Sequence, residues 1–204
     1  MIGEGEMRPP RKKHSGRRAG VRSNQQIILD AARTEFSERG FEGTTMRAIA
    51  RAAGVDAALI HHFFLSKGGL FSAAVQDVFT VPGLVTAVAD GEPEGMGERL
   101  ARVYVRHWED PETQPRLVGV LRSATAFEGA SETIREFLGE TLLPVAAKAG
   151  RGRHDLRASL CGTFLLGAAA LRYVSRTGPT ASLPAAQVAR LMGPTCQTYL
   201  CDRL

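Results

Sequence analysis

The stretch that decides the fold is TMRAIARAAGVDAALIHHFFLSK, residues 45–67. Ile49 and Ala53, then Ile60 and Phe64, recur at helical spacing on either side of Gly54-Val55, which predicts two short helices meeting at a glycine turn. Gly54 supplies the positive φ for a tight reversal, and Val55 follows as an apolar plug between the helices. Each helix carries its own start signal, because a short side-chain oxygen satisfies the unpaired N–H groups of a first turn. Thr44 or Thr45 can cap the first helix, Asp56 the second, and Ser66 a third that begins near Lys67. Helices this short are not stable alone and must be braced by neighbours. A plain αα-hairpin inside a helical core would carry the same turn. A braced, exposed helix of this length is also what enters a DNA major groove.

Working outward, Ser23-Asn24-Gln25-Gln26 is a capping box that starts a first helix, with Ile28, Ala31, Ala32 and Phe36 as its apolar stripe and Gly40 as its end. Before it, residues 1–22 hold seven Lys and Arg against Glu4 and Glu6, a net +5 that equals the formal charge of the whole chain. With Pro9-Pro10 and few apolar side chains, this segment is expected to be a disordered basic arm. Arg11, Lys12, Lys13, Arg17 and Arg18 are its candidate contacts to a phosphate backbone or minor groove.

After residue 80 the chain reads as helices separated by breakers. Gly97 to Trp108 is amphipathic, Asp110-Pro111 opens a helix to about Phe127, and another runs from about Ser131 to Ala149 with a kink at Pro144. Leu156 to Val174 is apolar nearly all round, and Pro184 to Leu200 is expected to break at Gly193-Pro194. No alternating Val/Thr/Ile stretch occurs, so the fold class is all-α. The longest apolar run, Cys161 to Leu171, is shorter than the ~20 residues that span a bilayer, which predicts a cytoplasmic protein with no membrane partner. Cys161, Cys196 and Cys201 lack metal or redox spacing and read as buried thiols. No metal or other cofactor is expected: the neighbouring His61 and His62 diverge by about 100° on a helix. Catalytic signatures such as GxSxG, HExxH and a phosphate-binding glycine loop are missing, so no enzyme activity is expected.

From Ile28 to Leu70 the sequence resembles the amino-terminal domain of the TetR family of transcriptional regulators. The resemblance is carried by Ala31-Ala32, Phe36, Gly40-Phe41, Thr44-Thr45-Met46, Ile49-Ala50, Ala53-Gly54-Val55, Ile60, Phe63-Phe64, Ser66-Lys67 and Leu70. WEDP at 108–111, LRSA at 121–124 and RYV at 172–174 look like the carboxy-terminal domain of an actinobacterial branch of that family. The resemblance implies an amino-terminal three-helix helix-turn-helix domain at 23–70 and a helical bundle at 71–204 that dimerises and senses. It implies a double-stranded DNA operator, bound by a homodimer as a palindrome, and an unknown small-molecule effector.

With Ile60 and Phe64 facing inward, Asp56, Ala57, Ala58, Leu59, His61 and His62 are left to face outward. The resemblance adds Thr45 and Arg47 from the preceding helix and Lys67 as a phosphate grip. It also places His61 where members commonly have a phosphate-contacting Tyr. A histidine there donates best when protonated, so affinity is expected to rise as pH falls. Small apolar residues cannot make bidentate base contacts, which leaves direct readout to Arg47 and then His62. Gly68-Gly69 is expected to soften the joint where the reading unit meets the rest. Candidate walls of an effector cavity are Phe79, Tyr104, Trp108, Leu121, Arg122, Phe127 and Phe164. The equivalent of the last two helices forms the dimer interface in the family, which points to Leu160, Phe164, Leu171, Val188, Leu191 and Met192. A ligand-independent architectural or adaptor DNA-binding protein is the alternative, separated from a regulator by whether a small molecule releases one palindromic site.

Overall fold

The computed structural model describes residues 23–124, 135–136 and 138–204. Arm residues Arg11, Lys12, Lys13, Arg17 and Arg18 and the cavity candidate Phe127 lie outside the described residues, as does the start of the helix expected from about Ser131. Among the described residues the structure is helices and turns with no strand.

Local chemistry places the first helices where the sequence signals put them. Helix α1, Asn24–Gly43, starts at Ser23, whose hydroxyl accepts from the Gln26 N–H. Its regular part ends at Gly40, where φ is 71°. Thr45 caps α2, Met46–Ala53, by accepting from Ala48 N–H. Thr44 is buried instead and donates to the carbonyls of Glu35 and Gly40. Gly54 turns the chain at φ 66°. Asp56 caps α3, Ala57–Phe64, and Ser66 caps α4, Lys67–Phe79.

Helices α5, Leu84–Ala89, and α6, Met96–Glu109, follow. Helix α7 spans Gln114–Ala124, starting later than Asp110-Pro111 suggested. The Asp110 carboxylate accepts from the N–H groups of Glu112 and Thr113, spending itself on a turn before the helix. A wide helical turn, Leu138–Leu142, leads into α8, Leu143–Lys148. Helix α9, His154–Ala169, continues as a π-helical stretch Ala170–Ser175. The last helix, α10, is continuous over Ala185–Cys201 with Pro194 inside it, so the break expected at Gly193-Pro194 does not occur. Packing on α6 holds it through the proline: Gly193 lies against the Glu98 backbone, and a Cβ on Gly97 would sit 2.2 Å from the Gln197 nitrogen.

Two apolar cores result. One runs from Ile28, Phe36, Ile49 and Ile60 through Phe71, Val75 and Phe79 to Trp108, Leu117, Val120 and Tyr173, so the core beneath the helix-turn-helix reaches beyond residue 70. The other joins α5, α6, α8, α9 and α10 around Leu100, Leu142, Cys161 and Leu200. Helix α7 grips α1 closely: a Cβ on Gly119 would meet Ser37 Cβ at 2.1 Å, and Ser123 donates to the Phe36 carbonyl at 2.9 Å. Arg33, buried at 4 % exposure, pairs with Asp30 on its own helix and ties α1 to α4 through Asp77.

Two stretches, Lys67–Ala89 and His154–Ser175, are long and apolar enough to cross a membrane by length and composition. This corrects the limit read from Cys161–Leu171 alone. The first is interrupted at Thr80–Gly83, and both contribute side chains to the cores, among them Phe71, Val75, Cys161 and Leu165.

Candidate functional site

Helix α3 is braced from behind and open in front. Ile60 is fully buried and Phe64 nearly so, while Ala58, His61 and His62 are exposed and fall on one helical face. Ala57 and Leu59, expected to face outward, are half-buried and pack partly on the core. The cause is the neighbouring α2 and α4, which wrap more than one side of so short a helix. Asp56 is exposed, but its carboxylate is committed to the Ala58 N–H at 2.7 Å.

From α2, Thr45, Arg47 and Arg51 are exposed beside this face, Arg47 and Arg51 one helical turn apart. Lys67 holds its ammonium 4.3 Å from the centroid of the Phe41 ring, a cation–π contact that fixes the charge at the start of α4. His61 Nδ1 lies 3.1 Å from the Leu65 carbonyl. A carbonyl only accepts, so Nδ1 carries the hydrogen and Nε2 is the nitrogen left facing outward. Leu65 sits at φ 59° and is 82 % exposed. Just beyond it, a Cβ on Gly69 would meet the Phe64 carbonyl oxygen at 2.4 Å. Gly69 therefore serves close approach of α4 to the end of the reading helix, a role the softening argument overlooked.

A second feature lies against the C-terminal half of α6. A cavity of about 480 Å³ opens between α6, α9 and α10, lined mostly by apolar side chains that include Val105, Phe164, Leu171, Val188 and Met192. Of the candidate wall residues, Tyr104 and Phe164 line it. Phe79, Trp108 and Leu121 do not, because they pack into the core beneath the helix-turn-helix, and Arg122 is exposed on α7 with a 3.4 Å bond to the Val174 carbonyl. The cation in the wall is Arg172. Its signal in the sequence is an arginine that follows the mostly apolar run Cys161 to Leu171.

Arg172 is held by a small polar cluster. Its Nη2 and Nε donate to the same oxygen of Glu109 at 2.7 and 3.3 Å, and its Nη1 donates to the Thr180 carbonyl. Tyr173 donates to that Glu109 oxygen at 3.1 Å. Burial pushes the Tyr173 phenol up to about 12, which keeps it a donor at neutral pH. Burial opposes the charge of Arg172, but hydrogen bonds to Glu109 and Tyr173 together outweigh it and raise its pKa. Tyr173 stacks on Trp108 at 4.9 Å, Trp108 meets Phe79 of α4 at 5.9 Å, and the His107 ring bonds the Val78 carbonyl at 2.9 Å. The cavity wall is thus linked through Trp108 to the helix whose first turn abuts α3.

The candidate interface residues divide. Leu171 and Leu191 are 55 % and 60 % exposed, and Leu160 and Phe164 are half-buried; Leu156, outside the candidate set, is 38 % exposed. Val188 and Met192 are buried within the chain at 5 % and 6 %, because the face of α10 that carries them packs inward. The open face of α9 and α10 therefore runs through Leu156, Leu160, Leu171 and Leu191.

A short, capped helix braced across a glycine turn and exposed with basic residues beside it defines a helix-turn-helix DNA-binding protein. Residues 28–74 match the family profile of bacterial regulatory proteins of the tetR family, and residues 94–200 match that of the tetracyclin repressor-like carboxy-terminal domain. A solved TetR-family regulator from Streptomyces coelicolor is 37% identical, with 91% of this chain and 99% of that one covered at a TM-score of 0.66. The transcriptional repressor AcnR of Corynebacterium diphtheriae is 28% identical over 144 residues, 69% of this chain and 74% of its own. A probable transcriptional regulator of Bacillus subtilis, YttP, is 37% identical over 57 residues, 28% of its length. The chain belongs to the TetR family and is a DNA-binding transcriptional regulator.

Proposed function

We propose that the chain works as a homodimeric, ligand-responsive repressor of a palindromic operator, in the cytoplasm and without catalytic chemistry. The observation that carries this reading is the open leucine face of α9 and α10 beside an apolar cavity, in a chain whose reading helix is exposed elsewhere. A two-fold pair of α3 helices suits half-sites about 34–36 Å apart. Residues 23–70 read DNA, with Arg47 on base edges and Thr45, His61 and Lys67 on phosphates. The basic residues of 1–22 follow the backbone. Residues 71–204 dimerise through Leu160, Leu171 and Leu191 and hold the effector. A ligand in the cavity acts on Tyr173 and Trp108, and through Phe79 on α4, selecting a separation of the two reading helices.

Genome-wide mapping of bound sites, with sedimentation of the free protein, tests this. The expected result is a dimer in solution and one palindromic motif released by a small molecule. A strictly monomeric protein, or equal affinity for all duplexes, refutes it.

A further inference from the structure

Among the described residues, the effector cavity proposed above has one charged side chain, Arg172, in a mostly apolar wall that also carries Tyr104, Tyr173 and three threonines, and the chemistry of that charge limits what can bind. Arg172 is 9 % exposed, whereas its partner Glu109 is 35 % exposed. At least three of the five guanidinium N–H groups are used in the bonds to Glu109 and Thr180, which leaves at most two to recognise an acceptor. Glu109 meets Arg172 and Tyr173 through a single oxygen, so it holds the cluster without the bidentate geometry that makes such pairs strong. A second cavity of about 520 Å³ on the far side of Arg172 and Tyr173 is lined by Glu109 and Arg176.

We infer that the effector is an amphipathic organic acid, its apolar body against Val105, Phe164 and Val188 and its carboxylate on Arg172 in place of Glu109. The inference rests on the effector reading of this cavity. The exchange is favoured in one direction. Glu109 is partly in water already and can be released to solvent, whereas the guanidinium is enclosed and must keep an anionic partner. A neutral apolar ligand would fill the cavity and leave Glu109 where it is. A cationic one would face Arg172, with Arg176 behind it. Release of Glu109 also frees Tyr173, which stacks on Trp108, so occupancy by an acid alters the contact that leads to α4.

The test is calorimetric titration of the full chain with decanoate and 1-naphthylacetate, each beside its matching primary alcohol. At least one acid is expected to bind saturably and about tenfold tighter than its alcohol. Arg172→Gln is expected to abolish that preference while the alcohol still binds, and Glu109→Gln to raise acid affinity a few-fold. Failure of both acids to bind, equal binding of acid and alcohol, or a preference that survives Arg172→Gln overturns the inference. Should Arg172→Gln not fold, Glu109→Gln decides: unchanged acid affinity overturns it. Release of bound DNA, followed by fluorescence anisotropy, separates the two claims. An acid that binds through Arg172 but leaves DNA bound upholds the ligand class and removes the regulatory reading. DNA released by the alcohols as well as by the acids removes the ligand class alone.

Discussion

Arg157 offers the sharpest test of how the carboxy-terminal helices are held. It is 3 % exposed and lies in the first turn of α9, yet its guanidinium reaches the far end of α10. There it donates to the carbonyls of Tyr199, Leu200 and Asp202 at 2.9, 3.2 and 3.0 Å, and to Gly152 at 2.9 Å. The last carbonyls of a helix have no intrahelical donors and carry the negative end of its dipole, so one fork of N–H groups satisfies them and places a positive charge where it is favoured. Charged hydrogen bonds contribute about 1.5–3 kcal/mol each, but the guanidinium is desolvated, which offsets much of their sum. Arg157→Met keeps most of the volume and leaves the carbonyls unpaired, for an expected loss of about 3–4 kcal/mol. For a chain of this size each kcal/mol lowers Tm by about 2–4 °C, so a drop of roughly 6–15 °C is expected. Thermal and urea melts followed by circular dichroism, at fixed protomer concentration, measure it. Arg157→Lys keeps the charge but not the fork and should fall between. A Met variant that melts within about 2 °C of the parent refutes the clamp.

Other expectations concern the DNA face and the buried thiols. Arg47→Ala should cost about 1–3 kcal/mol of operator affinity and relax sequence preference in gel-shift competition, whereas an unchanged preference would remove Arg47 from base readout. Burial pushes the Cys161 and Cys196 thiols up from 9.0 to about 12. The folded state then keeps protons that the unfolded chain loses, so the thiols' contribution to stability is fully present below about pH 9 and is lost as pH rises toward about 12. Urea melts across that range should show the fall, with a shallower slope for the double variant Cys161→Ala, Cys196→Ala.

Much of the reading unit was legible because its determinants are local. Ser23, Thr45, Asp56 and Ser66 each satisfy N–H groups two or three residues ahead, and Gly40 and Gly54 take the positive φ their turns require. Such choices are made within one helical turn and need no knowledge of the rest of the chain. The cavity was less legible. Tyr104 and Phe164 were named among its walls, but Phe79, Trp108 and Leu121 share their composition and packed elsewhere, since an aromatic on a helix does not say which neighbour it will meet.

Sequence alone determined the all-helical class, the helix-turn-helix and the residues that begin and end its helices, because capping, turn conformation and hydrophobic period act over a few residues. Tertiary structure alone decided that Val188 and Met192 turn inward while Leu171 and Leu191 stay open, that Arg172 rather than Arg122 is the cation in the cavity wall, and that Arg157 closes the end of α10. Those outcomes depend on pairs 40 to 100 residues apart, such as Arg157 with Tyr199 and Gly97 with Gln197. Close packing of whole helices, not any local preference, brings such pairs together.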